Sequence, residues 1–168
     1  MTALTEPMSY AQLAAARRPA LLRLAVMLSG DAEQAEDLVQ STLLRTQRHA
    51  SRIIAMESPA AYLRRALVNE YLSWRRSLRR RPPPLALSAA LPTDQDPVVR
   101  IGQRDLVWRL LAELPRRQRA VLALRYYEDL PDAEIAKVLG CSEGTVRSHA
   151  SRAFATLRAR LSDPEVNP

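Results

Sequence analysis

The sequence predicts an all-α protein of two small helical domains joined by a proline-rich linker, with a helix-turn-helix in the second. Three observations carry that expectation. Ala, Leu and Arg dominate the 168 residues while aromatics make up only 5 %, a balance that favours helix over sheet. Apolar residues recur at helical spacing in both halves, and no stretch alternates as a half-buried strand does. Glycine is scarce (4 residues) and proline clustered, so the breaks between helices are easy to place.

Taken in order, Tyr10–Leu28 carries Leu13, Ala16, Ala20, Leu21, Leu24 and Leu28 on one helical face, with Pro19 as a point where the helix kinks or restarts. Past Gly30, Asp31 is placed to cap a second helix, and Glu33 and Glu36 complement its dipole. That helix turns Ala35, Leu38, Val39, Thr42 and Leu43 inward and runs to about Arg52. Ser58 caps a third, with Pro59 at its first position, running to about Arg76 over Tyr62, Leu63, Ala66, Leu67, Tyr71 and Trp74.

The densest break follows. Arg81-Pro82-Pro83-Pro84 forbids helix and favours extended chain, and Pro92 and Pro97 continue the interruption. The expected organisation is a first domain over 8–77, a linker over 78–104, a second domain over 105–161 and a tail over 162–168. In the second domain Leu106, Leu110 and Leu111 mark a helix ending before Pro115, and Arg116–Tyr127 forms the next, with Val121, Leu122 and Leu124 inward. Two short helices and a long terminal one complete it.

The bulk composition narrows the partners. Apolar residues are 47 % of the chain, enough for a packed core. The net charge is +7, and Lys137 is the only lysine among 25 basic residues. An Arg-rich, basic chain fits a polyanionic partner, because guanidinium groups fork onto phosphates and guanine edges. GC-rich codon usage is an equally good source of the arginine excess. Cys141 is the only cysteine, so one chain forms neither a disulfide framework nor a cysteine zinc cluster. No stretch approaches the roughly 20 apolar residues of a membrane span, which points to a cytoplasmic protein without membrane insertion.

The helix-turn-helix lies between Pro131 and His149. Such a unit needs a small residue where two helices cross, a glycine in the turn and a branched apolar residue on the second helix. Ala136, Gly140 and Val146 meet these needs, with Ile135 and Leu139 closing the core and Ser142 capping the second helix. With Val146 inward, Ala150, Ala153, Phe154 and Leu157 also face in, Arg147, Ser148, Ser151 and Arg152 face out, and His149 sits at the border. Short Ser side chains admit close approach to a major groove, and Arg reaches guanine or phosphate. The plain alternative is a helical hairpin with a solvated face.

The chain as a whole resembles the extracytoplasmic-function sigma factors of bacterial RNA polymerase, particularly short actinobacterial members. Tyr10–Trp74 resembles sigma domain two and Asp105–Leu161 domain four. The segment Gly30-Asp31-Ala32-Glu33-Gln34-Ala35-Glu36-Asp37-Leu38-Val39-Gln40 is similar to the family's helix that docks on the β′ clamp helices of core polymerase. The resemblance implies contacts from Asp37 and Gln40, with Glu36 and Leu44 beside them, although Ser41-Thr42-Leu43-Leu44 departs from the acidic and aromatic residues usual there.

The third helix resembles the element that opens and reads the −10 region. Opening a duplex takes a pocket for an unstacked base and cations along the displaced strand. By resemblance Arg64, Arg65, Arg75 and Arg76 contact phosphates, Asn69 contacts a base or backbone, and Ile53–Glu57 edges the pocket. Tyr71 and Trp74 stand at a spacing more usual for core residues than for stacking on DNA.

Leu114–Tyr127 resembles the helices that lean on the β flap, and Gly144–Ala153 the −35 reading helix, implying contacts from Thr145, Arg147, Ser148, His149, Ser151 and Arg152. The linker Leu85–Val99 corresponds to a connector lying in the RNA exit path. The implied protein is a non-catalytic specificity subunit that needs no cofactor or metal of its own and whose partners are core polymerase and promoter DNA. Many family members are also held by an anti-sigma factor. Two rivals remain, a stand-alone regulator whose first half senses or dimerises, and an adaptor that occupies polymerase without supporting transcription.

Overall fold

A computed structural model describes residues 8–74 and 100–162. Eight α-helices occur among them, and no strand. The first half holds α1 (Tyr10–Ser29), α2 (Ala32–Gln47), α3 (Ala50–Ile54) and α4 (Pro59–Trp74). The second holds α5 (Arg100–Glu113), α6 (Arg116–Leu122), α7 (Asp132–Leu139) and α8 (Glu143–Leu161), with a π-helical turn over Ala123–Tyr127 after α6. The linker expected over 78–104 lies outside the described residues up to 99.

Local chemistry accounts for most boundaries. Ser9 and Gln12 form a reciprocal capping box at the start of α1. Helix α1 runs through Pro19 without restarting, and residues 15–20 are exposed, so the carbonyl that Pro19 leaves without a donor belongs to the solvent-facing side. Gly30 ends α1 in the left-handed region at φ 74°, its N–H donating to Val26 O at 2.8 Å. Asp31 then caps α2, accepting from Gln34 N at 2.8 Å. Ser58 Oγ accepts from Ala61 N at 3.4 Å ahead of Pro59, as the cap expected for α4.

Three expectations are corrected. The second helix stops at Gln47 rather than near Arg52, because His49 N turns back to Thr46 O at 2.9 Å and α3 starts a new helix. The fifth helix begins at Arg100, so 100–104 are its first turn rather than the end of a linker. The segment after Pro115 is not one regular helix to Tyr127, since its last five residues widen into the π turn.

The halves also pack on one another. Leu24, Leu28, Leu63 and Leu67 of the first half belong to one continuous buried cluster with Val121, Leu124, Ile135 and Val146 of the second. A smaller cluster of Leu114, Leu122 and Ala153, backed by Leu111, Phe154 and Leu157, holds the terminal helix in place. The first half is further tied by Tyr10, whose hydroxyl donates to Leu43 O at 3.0 Å and lies 2.6 Å from Thr46 Oγ1.

Candidate functional site

Three surfaces present the residues singled out from sequence. On α2, Ala35, Leu38, Val39 and Thr42 are buried, which turns Glu33, Asp37, Gln40 and Leu44 to solvent as one stripe. Leu44 is 60 % exposed, large for an apolar side chain with no role in the core. Glu36 is exposed beside this stripe and held by an ion pair with Arg18 of α1, leaving Asp37 and Gln40 as its central polar groups.

The second surface is a polar cleft of ≈ 470 Å³ between the end of α2 and α4. Asn69 lines it together with Arg45, Arg48 and His49, three groups passed over in the sequence. Arg45 is paired with Glu70, which also accepts from Ser41 Oγ at 3.2 Å. Arg65 is exposed, and Arg75 and Arg76 lie outside the described residues. None of the residues lining the cleft comes from the Ile53–Glu57 loop, and Ile53 is fully buried. Tyr71 is a core residue, 4 % exposed. Arg64 is paired across the two halves, its Nε 3.2 Å from Glu128 Oε2 of the second half.

The third surface is the outer face of α8. Gly140 closes α7 at φ 63°, with its N–H and that of Cys141 both donating to Ala136 O. Ser142 caps α8, accepting from Thr145 N at 3.1 Å, and its hydroxyl also meets that of Thr145 at 2.9 Å. Val146, Ala150 and Ala153 are buried, so Thr145, Arg147, Ser148, Ser151 and Arg152 are exposed together. Arg147 is loosely paired with Glu143 at 3.7 Å, one helical turn before it.

His149 is half-buried at the edge of this face, and its Nδ1 has no hydrogen-bond partner among the described residues. Burial first, then the charges of Arg117 and Arg152, hold its imidazole below the ordinary histidine range. A neutral ring on that border is able to donate or accept one hydrogen bond.

Among the described residues no group of three or more His, Cys, Asp or Glu could hold a metal ion, and no helix is long and apolar enough to cross a membrane. Two of these three surfaces are unlike in chemistry, that on α2 acidic and apolar, that on α8 of Arg and short hydroxyl residues.

Comparison with known proteins decides what such a chain is. Residues 13–81 match the family model of sigma-70 region 2, and residues 104–157 that of sigma-70 region 4. The chain is 35 % identical over 156 residues to the RNA polymerase sigma-E factor of Streptomyces coelicolor, spanning 93 % of this chain and 88 % of that protein. It is 38 % identical over 153 residues to the ECF RNA polymerase sigma factor SigL of Mycobacterium tuberculosis, across 85 % of this chain and 83 % of SigL. The chain belongs to the extracytoplasmic-function sigma factors.

This sigma factor therefore serves promoter-specific initiation of transcription, a regulatory task. Its fold matches the sigma factor RpoE crystallised with the anti-sigma factor NepR from Bartonella quintana, with a TM-score of 0.69 and 26 % identity over 92 % of this chain and 98 % of RpoE.

Proposed function

We propose that the chain is a non-catalytic, cytoplasmic specificity subunit that joins core polymerase through α2 and reads a bipartite promoter through α8 and α4. The observation that carries this reading is the coexistence of the two unlike exposed faces on one chain. A stand-alone DNA reader needs only the face on α8. The stripe of Asp37, Gln40 and Leu44, with Glu36 beside it, contributes little to the fold and suits the β′ clamp helices.

In this reading α8 enters the −35 major groove. Thr145 and the Ser142 cap lie at its N-terminal end, where backbone N–H groups and the helix dipole favour a phosphate. Arg147, Ser148, Ser151 and Arg152 then face base edges or phosphates, with neutral His149 at the margin. On α4, Arg64, Arg65 and Asn69 follow the −10 strand once it is opened, and the charges of Arg75 and Arg76 in the sequence after Trp74 add phosphate contacts. The cations Arg45 and Arg48 beside Asn69 add to that path. The two DNA contacts act together because one chain tethers them. The segment after Pro115 is assigned to the β flap. An anti-sigma factor is a further partner, since the structurally similar RpoE was crystallised with one.

The test is whether purified chain forms a stoichiometric complex with core polymerase and supports initiation on promoter DNA. Complex formation with initiation is the expected result. Tight duplex binding with no affinity for core would establish the stand-alone regulator instead, and a complex that never initiates would establish the adaptor.

A further inference from the structure

The charges around His149 are of one sign. Two act on its ring, Arg117 from α6 and Arg152 three residues along α8, and both side chains are exposed. Neither makes an ion pair among the described residues. The carboxylates on the helices packed against α8 are engaged elsewhere, Glu113 of α5 with Arg160, Asp132 of α7 with Arg125, and Glu134 of α7 with Lys137. Glu143 of α8 itself pairs with Arg147. Helix α6 has no acidic residue, and its other two arginines turn to the first half. Arg116 lies over the Tyr71 ring, 5.3 Å from its centroid, and Arg119 Nε donates to Met27 O at 3.0 Å.

The half-buried imidazole therefore stands in a cationic corner at the edge of the face assigned above to the −35 element. Its shielded Nδ1 has no acceptor to receive a second ring proton, and two guanidinium charges repel one, so the free chain holds the ring neutral. A DNA phosphate reverses the second effect. It offsets the neighbouring arginines and sets a negative charge beside the ring, and an opposite charge within about 4–6 Å favours the charged form.

We propose that His149 is a proton-dependent cation of the DNA-reading face, neutral in the free chain and protonated when a backbone phosphate of duplex DNA lies in the corner with Arg117 and Arg152. This rests on the proposed −35 role of the α8 face. The complex then holds the proton more readily than the free chain does. Affinity for the duplex is level at alkaline pH and rises as pH falls through the histidine range. One helix thus carries fixed charges that hold the duplex and one charge that reports acidity.

The test uses the full chain and a fluorescent duplex carrying the upstream element of a promoter mapped with core polymerase and this chain. Affinity is measured from about pH 8 to about pH 5.5, a range that spans the ordinary histidine value. A salt series is run at each end, and circular dichroism checks that the chain stays folded. Wild type should bind several-fold more tightly at the acid end, with the dependence of log affinity on log salt steeper there by about 0.9, the value for one more phosphate contact to a duplex. His149→Gln should give a level profile, and His149→Arg a level profile with the steep salt dependence throughout. His49→Gln, at the second of the two histidines, should keep the rise. A level wild-type profile, or a rise that persists in His149→Gln, would overturn the proton uptake; if Arg147→Ala still weakens binding, the −35 reading stands without it. Duplex binding that neither Arg147→Ala nor Arg152→Ala weakens would overturn that reading, and the role of His149 with it.

Discussion

Gly30 and Gly140 both lie in the left-handed region, at φ 74° and 63°, yet their surroundings differ. Gly140 has nothing within 4 Å of where a Cβ would sit, so only its backbone calls for glycine. Gly30 has the same requirement and also faces Arg119. Alanine at either position carries a left-handed backbone strain of about 1–2 kcal/mol. Gly30→Ala should lose more stability than Gly140→Ala in urea unfolding, because a buried arginine must also shift. Equal losses would mean that Arg119 moves aside without cost.

His149 sets a pH dependence. Its pKa is lowered in the folded chain, so the fold favours the neutral ring. The unfolded chain then binds the proton more readily, and stability falls as pH drops from the unfolded value of about 6.5 through the lowered folded one. Thermal melts should show this loss for wild type and a shallower one for His149→Gln. Identical profiles would remove His149 as the source. The placement of Ser142, Val146 and His149 was legible because each depends on neighbours within a turn or two of helix. The burial of Arg119 was not, since its partner Met27 lies 92 positions away in sequence.

At the scale of elements, helical periodicity gave away the inward face of α2 and hence its exposed stripe. Asp37→Arg and Leu44→Arg should each weaken binding to core polymerase, with far-ultraviolet circular dichroism unchanged because both residues are exposed. Wild-type affinity in both variants would take this stripe out of the interface. The same periodicity hid the break at Arg48, since neither glycine nor proline marks it and the chain simply turns back on Thr46. It also hid the π turn, where one wider turn carries Tyr126 to the surface at 63 % exposure while Leu124 stays buried. Proline and glycine report where a helix must end. They are silent where tertiary packing chooses to end it.

For the whole molecule, the two helical halves and the family were legible because each half carries its own periodic core and motif. Their docking was not. It depends on Arg116, Arg119 and Glu128 meeting Tyr71, Met27 and Arg64, pairs that no local pattern joins.

The α8 face is proposed to set which promoters this sigma factor selects. The most direct measurement is the sequencing of transcripts made on genomic DNA by core polymerase with this chain, compared with an Arg147→Ala/Arg152→Ala variant. Start sites should gather behind a shared pair of spaced promoter elements. The variant should lose selection at the upstream element, where each base-specific contact is worth about 1–3 kcal/mol. Start sites no different from those of core polymerase alone would deny the chain its part in promoter selection, and start sites unchanged in the variant would deny it to the α8 face.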